Sequence, residues 1–292
     1  SESDLYRARM VVASNGSIAA PETGAQMIEN LPLGASRTLE GDRLRAHLDG
    51  DLAALATRLR GEPALSLAGV TYAPVVPDAQ QVLCIGLNYK DHRAETKGEV
   101  GSTYPHNPLV FMRFATSLAA NGESLPIPKV SEVVDYEAEL AVIIGRGGRY
   151  IEKADAMSHV AGYAPFNDIS MRDWQMKGEQ WGPGKNFPKS GPFGPVMVTP
   201  DEVGDLGETG IRLILDGEVL QESWIKHLIF DIPTLIAYCS NFVALRPGDV
   251  IVTGTPGGVG FVRKPPILLA PGKTCVVEID GIGRLENTFH AE

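Results

Sequence analysis

The stretch from Val134 to Gly145 constrains this chain most: Val-Asp-Tyr-Glu-Ala-Glu-Leu-Ala-Val-Ile-Ile-Gly. β-Branched and apolar residues running to a closing glycine predict a strand. Two glutamates, Glu137 and Glu139, sit inside it at i, i+2. Side chains two apart on a strand share a face, so the pair stands side by side. Adjacent carboxylates repel each other, and in apolar surroundings each is costly to desolvate. A divalent cation removes both difficulties, because hard cations take oxygen ligands. The same pair also suits a solvent-facing stripe of charge, and the stretch alone leaves both readings open.

Size and composition narrow the classes. The 292 residues suffice for one large domain and a small one. The net charge of -10 argues against a nucleic-acid surface, whose affinity comes largely from clustered Lys and Arg. No apolar run approaches the length of a membrane span, and the opening Ser1-Glu2-Ser3-Asp4 has no secretory character. Cys84, Cys239 and Cys275 stand in separate apolar stretches without CxxC spacing, which reads as reduced core residues. A cytoplasmic protein that handles a small molecule is expected, with no nucleic-acid or membrane partner.

Along the chain, residues 5–13 read as a strand. Leu44, Leu48, Leu52, Leu55 and Leu59 form a helical stripe. A Pro-punctuated segment near residue 75 marks a soft boundary between a small N-terminal accessory domain (1–75) and a second domain (76–292). Gln81 to Gly86 reads as a short buried strand, followed by Asn88-Tyr89-Lys90-Asp91-His92-Arg93-Ala94-Glu95. His92 and Glu95, at i, i+3, are neighbours on a helix face. A carboxylate beside a histidine fixes its tautomer and orients its ring, which is half of a general-base pair; a surface ion pair has the same spacing. The polar segment from residue 96 to 107 suits a lid. Leu109 to Phe114 is a further strand, and Glu152 to Val160 a short helix.

Asp168 lies where an extended segment turns toward a helix, a place for a third ligand or for an N-cap. The Gly- and Pro-rich stretch 180–195 is too apolar for a linker and predicts an ordered loop, from which Lys185 is either presented to a site or simply solvated. Asp216-Gly217 and Asp280-Gly281 predict hairpin turns, and Asp231 an N-cap to a helix ending near Val243. Thr253-Gly254-Thr255-Pro256-Gly257-Gly258-Val259-Gly260 is neither a Walker A loop nor a dinucleotide fingerprint. Its amides and the Thr255 hydroxyl suit a nest for a carboxylate, or a plain glycine turn.

In their order, these pieces resemble the fumarylacetoacetate hydrolase family. The carrying motifs are Gly86-Leu87-Asn88-Tyr89 with His92 and Glu95, then Asp135-Tyr136-Glu137-Ala138-Glu139-Leu140, and then Asn167-Asp168-x-Ser170-x-Arg172-Asp173-x-Gln175. Gly184-Lys185, Pro247-Gly248-Asp249-Val250-Ile251 and Thr253-Gly254-Thr255-Pro256 complete the set. The resemblance covers about residues 80–290 and leaves the N-terminal segment outside it.

It implies an α+β, mostly β fold, a mixed β-sandwich roll with short helices, in a homodimer. It implies Mg²⁺, or Mn²⁺ or Ca²⁺, held by Glu137, Glu139 and Asp168. His92 with Glu95 is then the proton-handling pair, Lys185 and Gln175 act at the reacting group, and Arg172, Thr255, Gly254 and Tyr89 bind substrate. Two positions depart from the pattern. Leu87 stands where some members have Arg, and Arg113 where members often have Lys, so both bear on which acid group the pocket accepts. The implied substrates are β-dicarbonyl or α-keto acids. With both halves of the water-activating pair present, the expected reaction is C–C hydrolysis of an acylpyruvate-type acid. Decarboxylation, isomerisation or hydration at the same site is the alternative, and a non-catalytic keto-acid-binding module a further one.

Overall fold

The computed structural model describes residues 71–96 and 106–292. The expected strand at 5–13, the helix at 42–60, nearly all of the accessory domain and most of the lid lie outside the described residues. Fourteen strands are found among the described residues. In chain order they are β1 (Val82–Gly86), β2 (Leu109–Arg113), β3 (Leu118–Ala119), β4 (Ser124–Ile127), β5 (Val134–Asp135), β6 (Ala138–Ile144) and β7 (Val160–Asn167). Then come β8 (Ser170–Met171), β9 (Gly191–Pro192), β10 (Gly210–Leu215), β11 (Glu218–Trp224), β12 (Val250–Val252), β13 (Thr274–Ile279) and β14 (Gly283–Ala291). Among the described residues helices are short, the longest being Ile232–Phe242.

Two five-stranded mixed sheets carry the fold, in the orders β2-β1-β12-β6-β7 and β11-β10-β13-β14-β4. Only β1·β12 in the first and β14·β4 in the second pair in parallel. Along β6, Leu140, Val142 and Ile144 join the core that also contains Ile211, Leu213, Val277 and Ile279 of the second sheet. Ala141 and Ile143 alternate to the opposite face, where they pack with Cys84, Ala164, Phe166, Val250 and Val252. A strand buried on both faces explains the unbroken apolar run from Leu140 to Ile144. All three cysteines are free and buried, as expected.

The hairpin turns fall where the sequence puts them, with Asp216-Gly217 between β10 and β11 and Asp280-Gly281 before β14. Asp231 caps the long helix, its carboxylate accepting from Thr234 N at 2.9 Å. Two expectations change. The helix expected over 152–160 is one 3₁₀ turn at Ala156–His159. The glutamate strand is broken, with Tyr136 and Glu137 lying between β5 and β6. At the break, side chains replace the ladder: Glu137 N donates to Asn167 Oδ1 (3.1 Å) and Ala138 N to Gln221 Oε1 (2.9 Å). Backbone amides must be paired when buried, so these two side chains make the interruption tolerable.

Candidate active site

The first sheet gathers several chain ends at one rim. β1, β7 and β12 finish there and β6 begins there, as the pairings Cys84↔Val252, Val252↔Ala141 and Ala138↔Asn167 require. Glu137 and Glu139 arrive at the start of β6, Asp168 directly after β7. One carboxylate oxygen from each lies within 4.8 Å of the other two, and all three residues are buried. Asp168 caps no helix: the turn Arg172–Gln175 starts from Met171 without a side-chain cap.

Cations are packed against this cluster. Lys185 Nζ bridges Glu137 Oε2 and Asp168 Oδ2, at 2.7 Å each, from a one-turn helix Gly182–Lys185. Arg172 donates to Glu137 Oε1 (2.7 Å) and to Asp135 Oδ2 (2.9 Å). Arg113 grips Asp168 Oδ1 through Nε (2.6 Å) and extends to Ser190 Oγ and the Ile169 carbonyl. The departure at Arg113 therefore acts beneath Asp168 rather than on the pocket wall. Burial pushes the Glu137 carboxyl up, but Arg172, Lys185 and His92 outweigh it and hold it below the usual carboxylate range.

Glu139 differs. Its Oε2 accepts from Gly254 N (2.5 Å), and its other oxygen takes no protein hydrogen bond among the described residues. Burial first, then the charges of Asp168 and Glu137, raise its carboxyl well above the usual range. An all-oxygen donor set with one carboxylate left poorly compensated fits a hard divalent cation. The choice among such cations is open to Mg²⁺, Mn²⁺ and Ca²⁺.

His92 and Glu95 come from the short helix Lys90–Glu95 that follows β1. Glu95 Oε1 lies 2.7 Å from His92 Nδ1. A carboxylate only accepts, so Nδ1 carries the hydrogen and Nε2 is left as the free acceptor of the neutral ring. That Nε2 is 4.0 Å from Glu137 Oε1. Leu87, between β1 and this helix, takes a left-handed backbone (φ 56°), which few side chains adopt and which turns the chain toward the site.

The loop 253–260 is a set of carboxylate holders, but for the protein's own acids. Gly254 N holds Glu139, Gly258 N holds Glu95 Oε2 (2.8 Å) and Gly260 N holds Asp135 Oδ1 (2.8 Å). A cavity opens to solvent at this rim. His92, Glu137, Glu139, Arg172, Gln175, Lys185 and Thr255 form its polar wall; Ile85, Leu87, Phe111, Met176, Trp181 and Phe261 form its apolar one. Gly254 meets the site through its amide. Tyr89 is fully buried outside this lining, its hydroxyl without a hydrogen-bond partner among the described residues. Burial, then Glu139, pushes that phenol above its usual range. Sequence reading missed Gln221, which reaches Ala138, Thr255 and Pro256 from the second sheet; nothing local marks it.

Residues 81–290 match the family described as fumarylacetoacetate (FAA) hydrolase, C-terminal. The chain is 42% identical over 225 residues to the mitochondrial oxaloacetate tautomerase fahd2 of Xenopus laevis, covering 76% of this chain and 69% of that protein. A putative HpcE protein from Mycobacterium smegmatis superposes with a TM-score of 0.82 at 34% identity, over 97% of this chain and 99% of that one. A fumarylpyruvate hydrolase from Pseudomonas aeruginosa, solved with Mn²⁺ and pyruvate, gives a TM-score of 0.66 at 34% identity, over 73% and 91%.

Proposed function

The chain belongs to the fumarylacetoacetate hydrolase family, and from that premise we propose that it interconverts the keto and enol forms of an oxaloacetate-like 2-oxo acid. It is an enzyme of a family whose members include tautomerases and isomerases as well as hydrolases. The observation that carries the proposal is His92 Nε2 standing 4.0 Å from the buried carboxylate cluster, its other nitrogen locked by Glu95. The relative named for oxaloacetate tautomerisation moves weight from hydrolysis, the first expectation of the sequence, to its alternative.

Glu137, Glu139 and Asp168 would hold the divalent cation, which when bound supplies positive charge that polarises the 2-oxo group. The chain's own residues do the rest. His92 Nε2 accepts the proton from C3, and the imidazolium, held by Glu95, returns it at the 2-oxygen; the reverse reaction runs the same exchange backwards. Gly258 N anchors Glu95 and so fixes the ring. Lys185 keeps Glu137 and Asp168 together despite their like charge. Arg172, Gln175 and Thr255 offer donors to the substrate's carboxylate oxygens. The apolar wall of Leu87, Phe111 and Trp181 limits water at the reacting carbon.

Acylpyruvate hydrolysis remains the second reading, since a locked histidine that accepts a proton from carbon also accepts one from water. The test mixes the protein and Mg²⁺ with enol oxaloacetate and, separately, with an acylpyruvate. Faster loss of the enol ultraviolet band, with proton NMR showing the carbon skeleton intact, is the expected result. Cleavage of the acylpyruvate without effect on the oxaloacetate enol would replace the proposal with the second reading. We also infer a homodimer on the strength of the family resemblance, which light scattering checks.

A further inference from the structure

Gln221 lies on β11, in the second sheet, with 1% of its surface exposed. Its Oε1 accepts from Ala138 N (2.9 Å), and its Nε2 donates to Thr255 Oγ1 (2.9 Å) and to the Pro256 carbonyl (2.8 Å). This amide orientation is forced. A backbone N–H only donates and must face Oε1, whereas a carbonyl only accepts and must face Nε2. With one Nε2 hydrogen on Pro256, the other falls on Thr255 Oγ1, which has to accept it. The hydroxyl hydrogen of Thr255 then points elsewhere, and among the described residues it meets no protein acceptor. Thr255 itself is part of the cavity wall.

Gln175, also in the cavity lining, follows the same rule. Arg172 Nη1, which can only donate, fills Gln175 Oε1 at 3.0 Å, so the Gln175 amide hydrogens are left for the cavity. Interior donors thus polarise two neutral wall residues in one sense, as donors toward an oxygen-rich ligand. We propose that Gln221 is a positioning residue: by occupying the acceptor side of Thr255, it commits that hydroxyl to donate to a carboxylate of the bound 2-oxo acid. The inference rests on the keto-acid reading of the site. It assigns a role to a residue that touches no substrate.

The test is a double-mutant cycle read by calorimetric binding of oxalate, a planar dianion resembling the enol acid, with Mg²⁺ held constant. Gln221→Met is expected to weaken oxalate binding about three- to tenfold, the size of one ordinary net hydrogen bond. Thr255→Val weakens it by a similar factor, and Thr255→Ser, which keeps the hydroxyl, restores it. In the Thr255→Val background, Gln221→Met has no further effect on binding. With turnover, KM rises in Gln221→Met while kcat holds to within about twofold.

An equal loss from Gln221→Met in both backgrounds would assign Gln221 a general packing role and overturn the inference, as would wild-type binding by Gln221→Met. Should the methionine variant not fold, Gln221→Glu, which keeps an acceptor for Ala138 but has lost the fixed donor, is read through the same cycle. Oxalate binding by the wild type without any turnover overturns the tautomerase reading alone. No oxalate binding at all overturns both.

Discussion

At the residue scale, the site divides into acids whose charge is answered and one whose charge is not. Glu137 and Asp168 share Lys185 and each has an arginine besides, whereas Glu139 has one backbone amide. Glu139→Gln is therefore expected to leave the metal-free protein at least as stable as wild type, while abolishing the rise in Tm that Mg²⁺ gives by binding the folded state. Thermal melts with and without Mg²⁺ check both halves. On the proposed reading His92 moves protons and holds no metal, so His92→Ala is expected to lose about 10²–10⁴ in kcat while Mg²⁺ affinity by calorimetry stays unchanged. Joint loss of affinity and activity would make His92 a ligand. These two residues were legible in the sequence because their spacing is local, i, i+2 for the glutamates and i, i+3 for the dyad. Arg113 and Gln221 were not legible in their roles. Their partners lie 55 and 83 residues away, at Asp168 and Ala138, and only the sheet pairing brings them together.

At the element scale, hairpin turns and the capped helix follow their sequence signals because turn and cap chemistry are set by adjacent residues. The break before β6 does not. Its apolar pattern reads as one strand, and what interrupts it are two amide side chains from β7 and β11. The cap gives a pH-dependent prediction. Burial raises the Asp231 carboxyl, but its bonds to Thr234 and the Lys153 charge outweigh this and leave it below its usual 3.8. A depressed folded pKa means stability present above the unfolded value and lost as pH falls through the folded one. Asp231→Ala is expected to cost about 0.5–2 kcal/mol near neutrality, with the difference from wild type shrinking as the pH is lowered past that range. Denaturant midpoints across pH measure it. The turn Gly182–Lys185 packs so closely that a Cβ on Gly184 would sit 2.5 Å from Gln175 N. Gly184→Ala is expected to destabilise by about 1–3 kcal/mol and to depress turnover by displacing Lys185, seen in the same unfolding curves and an activity assay.

At the scale of the whole molecule, two sheets enclose a core that leaves no thiol accessible. Burial pushes Cys239 and Cys275 up to about 12 and Cys84 well above its ordinary range. The native protein is expected to resist a thiol reagent at pH 8, with all three cysteines reacting only after global unfolding. Early reaction of one would show local opening of the strand or helix that carries it. Among the described residues no helix is long and apolar enough to cross a membrane.

The acidic cluster sits where β6 begins and β7 ends, while His92 rides on the short helix after β1, with β12 standing between those strands. Anchor and tool are thus mounted on separate beams of a rigid frame. On the proposed reading, changes within the six residues Lys90–Glu95 can alter the proton-handling group while leaving the three acids in place.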